Sequence, residues 1–199
     1  MKRYLLLVIL TYWATLVRGQ VIDQRIEIFT RDLKLDTFLI YSFPCSGGMS
    51  FDSCATEETH YLFWVQNGKY YVKKFEYCHV FQSVIIDTSG ILPFYFSNAH
   101  IIDKETIKPP TYYKIRKSKT GFDTLRMSSF VDHSCYHELS FHIKNRIVRK
   151  TVDIYDLDFA KFDSGERNIY YRYNQRTKLK ALIDKIVPLT KLLNVNSSR

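Results

Sequence analysis

The densest group of reactive side chains is Asp132-His133-Ser134-Cys135-Tyr136-His137-Glu138-Leu139-Ser140-Phe141-His142. On a helix, His133 and His137 would stand four residues apart on one face and could hold a metal ion. Asp132 or Glu138 would be the further ligand or base of a metal-dependent hydrolase. The spacing beyond that pair argues against it. A zincin helix carries H-E-x-x-H, whereas three residues separate His137-Glu138 from His142, which turns the third imidazole off the helical face. Residues 139–144 also alternate, Leu139, Phe141 and Ile143 against Ser140, His142 and Lys144, which is the period of a half-buried strand. No metal ligand is assigned, and hydrolysis through His133 and His137 stands as the alternative reading.

Other chemistries lack their residues. Asp156-x-Asp158 opens like a calcium loop, but the chain supplies neither the glycine nor the terminal glutamate that such a loop needs. There is no G-x-S-x-G elbow, no G-x-x-x-x-G-K-[ST] and no G-x-G-x-x-G, and the whole chain has only seven glycines. The sequence therefore assigns no catalytic residue and no cofactor.

The four cysteines, Cys45, Cys54, Cys78 and Cys135, are spaced C-x8-C, C-x23-C and C-x56-C, with no C-x-x-C knuckle for zinc. An even number in an exported chain reads as two disulfides. Cys45 and Cys54 flank a segment with Gly47-Gly48 that permits a tight reversal, so the expected pairs are Cys45–Cys54 and Cys78–Cys135.

Export is read from the start of the chain. Lys2-Arg3 precedes an uncharged run, Tyr4 to Val17, and then Arg18-Gly19-Gln20. That run is shorter than the roughly 20 apolar residues of a membrane span and matches the core of a signal peptide. Residues 1–19 are thus expected to be a signal peptide cleaved before Gln20, leaving one domain, 20–199, secreted or periplasmic, with no transmembrane span. Losing Lys2, Arg3 and Arg18 lowers the formal charge from +9 to about +6. That is basic, but short of a dedicated nucleic-acid binder, and nucleic acid is not expected as a partner.

The elements that must position any site are mostly strands. The chain has 15 Tyr, 14 Phe and 2 Trp, a composition that favours sheet over helical bundle. His60 to Gln66 and Lys69 to Tyr77 flank Asn67-Gly68, the strongest short hairpin signal. A two-residue turn there sets Val65 opposite Tyr70, Trp64 opposite Tyr71 and Phe63 opposite Val72. Both faces of this ribbon are apolar, so either a second layer covers each or one face is an exposed aromatic platform. Further strands are expected at 37–43, 79–87, 139–143, 147–155 and 167–173, and mixed signals at 23–36 and 94–107 allow helices.

The C-terminus is helical in pattern. Leu179, Leu182, Ile183, Ile186 and Val187 fall on one side of a wheel and Lys178, Lys180, Asp184 and Lys185 on the other, with a stop or kink expected at Pro188. Charge is segregated here. Residues 167–199 carry eight basic side chains and one acid, whereas 153–166 carry five acids and one lysine.

The fold expected is α+β, an aromatic-rich antiparallel sheet with a C-terminal amphipathic helix packed on it. The function expected is that of a non-enzymatic binding or interaction module. Its partner would be a protein or cell-surface component, met through Tyr61, Trp64, Tyr70 and Tyr71, with weak contact to an anionic surface through 178–191 as a further option.

Overall fold

A computed structural model describes residues 22–46, 59–76, 79–86, 90–119 and 121–196. The expected signal peptide, Cys54 and Cys78 lie outside the described residues. The chain is α+β. Six antiparallel strands form the main sheet: β1 (Thr37–Ser42), β2 (His60–Gln66), β3 (Lys69–Phe75), β4 (Val84–Ile86), β7 (Tyr136–Ile143) and β8 (Arg146–Asp153), in the order β4-β3-β2-β1-β7-β8. Among the described residues, β5 (Thr111–Ser118) and β6 (Gly121–Ser128) pair only with each other. The helices are α1 (22–32), α2 (Ile91–Ile102), α3 (Ile154–Asp158), α4 (Tyr171–Arg176) and α5 (Lys178–Asn196).

The Asn-Gly turn forms as its residues require. Asn67 (φ 51°) and Gly68 (φ 72°) both take positive φ, and the register is the expected one, Val65 with Tyr70, Trp64 with Tyr71 and Phe63 with Val72. Both faces of the β2–β3 ribbon are covered. Tyr61, Phe63 and Val72 join Leu39, Leu139 and Phe141 beneath α2 and α5, which contribute Ile91, Leu92, Tyr95 and Leu179, Leu182, Ile183, Ile186. On the opposite face, Leu62, Trp64 and Phe75 pack under Ile22 and Ile26 of α1. Phe29 meets the Trp64 ring edge-on at 5.5 Å. Ile22, Ile26, Phe29 and Leu33 recur at helical spacing, which aims α1 at the sheet, and Lys34 at φ 52° closes its C-terminus.

Helix α5 runs through Pro188 to Asn196 instead of stopping. Pro188 and Asp184, the residue whose carbonyl loses its partner, are both exposed, so water can take the lost bond. Beyond the proline, Leu189 and Leu193 keep the helix on the core, and Tyr61 Oη donates to Asn194 Oδ1 at 2.7 Å. The start of α5 is capped twice. Thr177 Oγ1 accepts from Lys180 N at 3.1 Å, and the Glu105 carboxylate accepts from Lys178 N (3.0 Å) and Leu179 N (2.8 Å).

Three sequence expectations are corrected. Cys45 is disulfide-bonded to Cys135, so neither the Cys45–Cys54 nor the Cys78–Cys135 pair forms. β1 and β7 run side by side, with Ser42 opposite Glu138, and this pairing carries the two cysteines just beyond it into a β-bridge that no sequence spacing encodes. The run 167–173 is no strand. Asn168 and Asn174 are buried, and their amides bind loop backbone, drawing the segment into a turn and then α4. Of 79–87, only Val84–Ile86 pairs as a strand, with an isolated bridge at Val80.

Candidate functional site

The four aromatic residues chosen from the sequence do not form one patch. Tyr61 and Trp64 are buried on opposite faces of β2, and Tyr70 and Tyr71 are half-buried, Tyr71 stacked on Trp64 at 5.2 Å. Burial raises the Tyr61 hydroxyl to about 12. These rings hold the ribbon between its two covering layers.

The two histidines are likewise separated in role. The segment is strand from Tyr136 onward and not the helix that would align them. His133 is exposed. His137 faces the core at 6% exposure, its Nδ1 2.8 Å from Tyr41 Oη. Burial holds its imidazole down to about 4, so it is neutral at pH 7. No cluster of three or more metal-ligating side chains occurs among the described residues. The apolar stripe of α5 faces the core.

A face of exposed apolar side chains lies elsewhere, on the β5–β6 hairpin, which sequence reasoning missed. The signal was present. Tyr113 and Ile115 alternate with Lys114 and Arg116, and Gly121 stands before the second run. The register puts Tyr113 opposite Arg126, Ile115 opposite Thr124 and Lys117 opposite Phe122, so these six share a face. Ile115 is 70% and Phe122 77% exposed, and every residue of β6 is exposed. The other face carries Leu125 and Met127 with Lys114 and Arg116. Over 111–128 there are five basic residues and one acid, Asp123.

The base of this hairpin is fixed. Thr111 is fully buried, and Asn168 Oδ1 accepts from its backbone N–H at 3.1 Å while Asn168 Nδ2 donates to Phe159 O at 2.9 Å. Next to it, buried Asn174 donates to Lys108 O and Asp156 O and accepts from Lys108 N. Tyr112 packs on Phe162 with ring centres 4.5 Å apart. Buried amides with their bonds made hold the chain in one geometry, so the ribbon projects from a rigid root.

A second concavity lies over the sheet between α1 and β7–β8. It is a cleft of about 500 Å³ lined by Asp23, Glu27 and Thr30 of α1, by Ser42, and by Glu138, Ser140, His142 and Arg149. Ser42 donates to Glu138 Oε2 at 3.1 Å, and Ser140 Oγ lies 3.1 Å from His142 Nε2. The His142 ring stacks on Phe38 at 4.4 Å, and burial, then the Arg149 charge, lowers its pKa. A hydroxyl beside a neutral imidazole is two members of a nucleophilic triad, but no hydrogen bond to a carboxylate orients His142 among the described residues.

Comparison with protein-family models, with curated proteins and with solved structures finds no match to this chain.

Proposed function

We propose that the protein is an exported, non-enzymatic binding module whose contact element is the β5–β6 hairpin and whose partner is an acidic protein surface of the cell envelope. The observation that carries this is the exposed face of Tyr113, Ile115 and Phe122 set among Lys117 and Arg126. A two-stranded ribbon is marginal alone in water, and large side chains on its open face gain by being covered. The surrounding cations select a partner rich in carboxylates and speed encounter with it. No helix among the described residues is long and apolar enough to cross a membrane.

Export rests on the signal-like residues 1–19 and on a disulfide, which persists in oxidising compartments. Intact mass of the protein from its native compartment checks this, with a start at Gln20 expected. Contact is tested by binding the mature chain to intact cells lacking their own copy. Binding should weaken with salt, disappear when the cells are first treated with protease, and be lost in the I115S/F122S double variant. A double variant that binds like the native chain would overturn the hairpin as contact element. Retention on protease-treated cells and on anionic vesicles would move the partner from protein to lipid.

A further inference from the structure

The cleft between α1 and β7–β8 has a charge arrangement that the hairpin reading does not use. Ser42 stands opposite Glu138, and Glu138 in turn opposite Thr151, while Ser140 one row along stands opposite Arg149. Glu138 and Arg149 are therefore diagonal neighbours on the same sheet face, about 7–8 Å apart at the backbone. Asp23 and Glu27, four residues apart on α1, line the facing wall. All four are exposed. No ion pair among the described residues joins Arg149 to any of these three carboxylates.

Lys150 also lines the cleft, but its ammonium donates to Asp103 O and Glu105 O on the other face of the sheet, which leaves three carboxylates and one guanidinium. An anion alone would meet that excess of carboxylates, and a cation alone would leave the guanidinium covered without a counter-charge. Only a molecule with both charges answers both ends. Two extended residues span about 7 Å, close to the Glu138–Arg149 diagonal. We infer that this cleft binds a small zwitterion of dipeptide size, its ammonium held by Glu138 and Asp23 and its carboxylate by Arg149, with Ser140 and Thr30 beside its middle. His142, kept neutral, adds no second cation to the carboxylate end.

The test is calorimetric titration of the full mature chain with L-alanyl-L-alanine, its N-acetyl derivative and its C-terminal amide. The free dipeptide should bind, and blocking either terminus should weaken it by about tenfold or more, the scale of a charge-assisted contact. Glu138→Gln should weaken the free dipeptide while leaving the N-acetyl form unchanged, and Arg149→Gln should do the same with respect to the amide. Both side chains are exposed, so circular dichroism of each variant should match the native protein. Absence of binding at millimolar dipeptide, equal binding of all three ligands, or sensitivity to one terminus alone would overturn the two-ended site. None of these outcomes depends on the hairpin or its partner.

Discussion

The β2–β3 and β5–β6 ribbons are both antiparallel hairpins, with strands of seven and eight residues, and they end in opposite environments. β2 reads Tyr-Leu-Phe-Trp-Val with no charge, so side chains on both faces need cover, and α1 on one side and α2 with α5 on the other provide it. β5 reads Tyr-Tyr-Lys-Ile-Arg-Lys, and among the described residues no layer packs over the outer part of that ribbon. An aromatic hairpin is thus core or exposed surface according to how many covering elements the topology brings to it. The one that looked most like a platform is the core.

The sharpest way to break this contrast is to truncate one ring in each ribbon. Trp64→Ala should cost about 3–5 kcal/mol in urea unfolding, because the ring is 2% exposed and leaves a cavity between β2 and α1. A small loss would mean that α1 does not seal that face. Next in size is the Cys45–Cys135 bond, whose 90-residue separation encloses both hairpins. Replacing both cysteines by alanine should cost about 2–5 kcal/mol. Amide exchange should then speed up in β2–β3, tied to global unfolding, more than in β6, which is already open.

Acid acts oppositely on the two regions. His137, beside Tyr41 in the main core, is held at about 4 against 6.5, so the unfolded chain binds the extra proton and stability falls between about pH 6.5 and 4. The size is about 3 kcal/mol. Asp156, whose carbonyl supports Asn174 at the root of β5–β6, is raised to about 6 by burial and then by Asp153. Here the folded chain binds the proton, so stability rises as pH falls from about 6 toward 4, by about 1–2 kcal/mol after allowing for solvent screening. Asp156→Asn should therefore steepen the acid loss measured by thermal melts, and an unchanged pH profile would show that one of the two groups is misplaced. Gly68→Ala should cost about 1–2 kcal/mol by forcing a side chain into positive φ at the buried hairpin's turn. Smallest is Phe122→Ser, within about 0.5 kcal/mol of the native stability. A large effect there would mean the outer ribbon is packed after all.

Much of the main sheet was legible. The Asn-Gly turn fixed the β2–β3 register because its geometry is local, and strict alternation at 139–143 marked β7 and set Ser140 and His142 on one face. Helix α5 was legible as a stripe, although its length was not, since whether Pro188 ends a helix depends on what holds the next turns. The β5–β6 hairpin carries the same alternation, Tyr113 and Ile115 against Lys114 and Arg116, but with cations on both of its faces it lacks the apolar face that marks a buried strand. The cleft was not readable at all. Asp23, Glu27, Glu138 and Arg149 are spread over more than a hundred residues, and only the adjacency of β1 to β7, with α1 laid across β1–β3, puts them around one space.

By itself the sequence determined that β1, β2, β3 and β7 are strands with a buried face, where the Asn-Gly reversal falls, and which side of α5 is apolar. These follow from side-chain periodicity and backbone preference within a few residues. The tertiary structure alone decided that Cys45 meets Cys135, that the aromatic ribbon is covered twice while the basic one is bare, and that opposite charges face each other across a cleft. Such outcomes depend on strand order and on which layer covers which face, and both are set by the summed burial of the whole chain rather than by any local pattern.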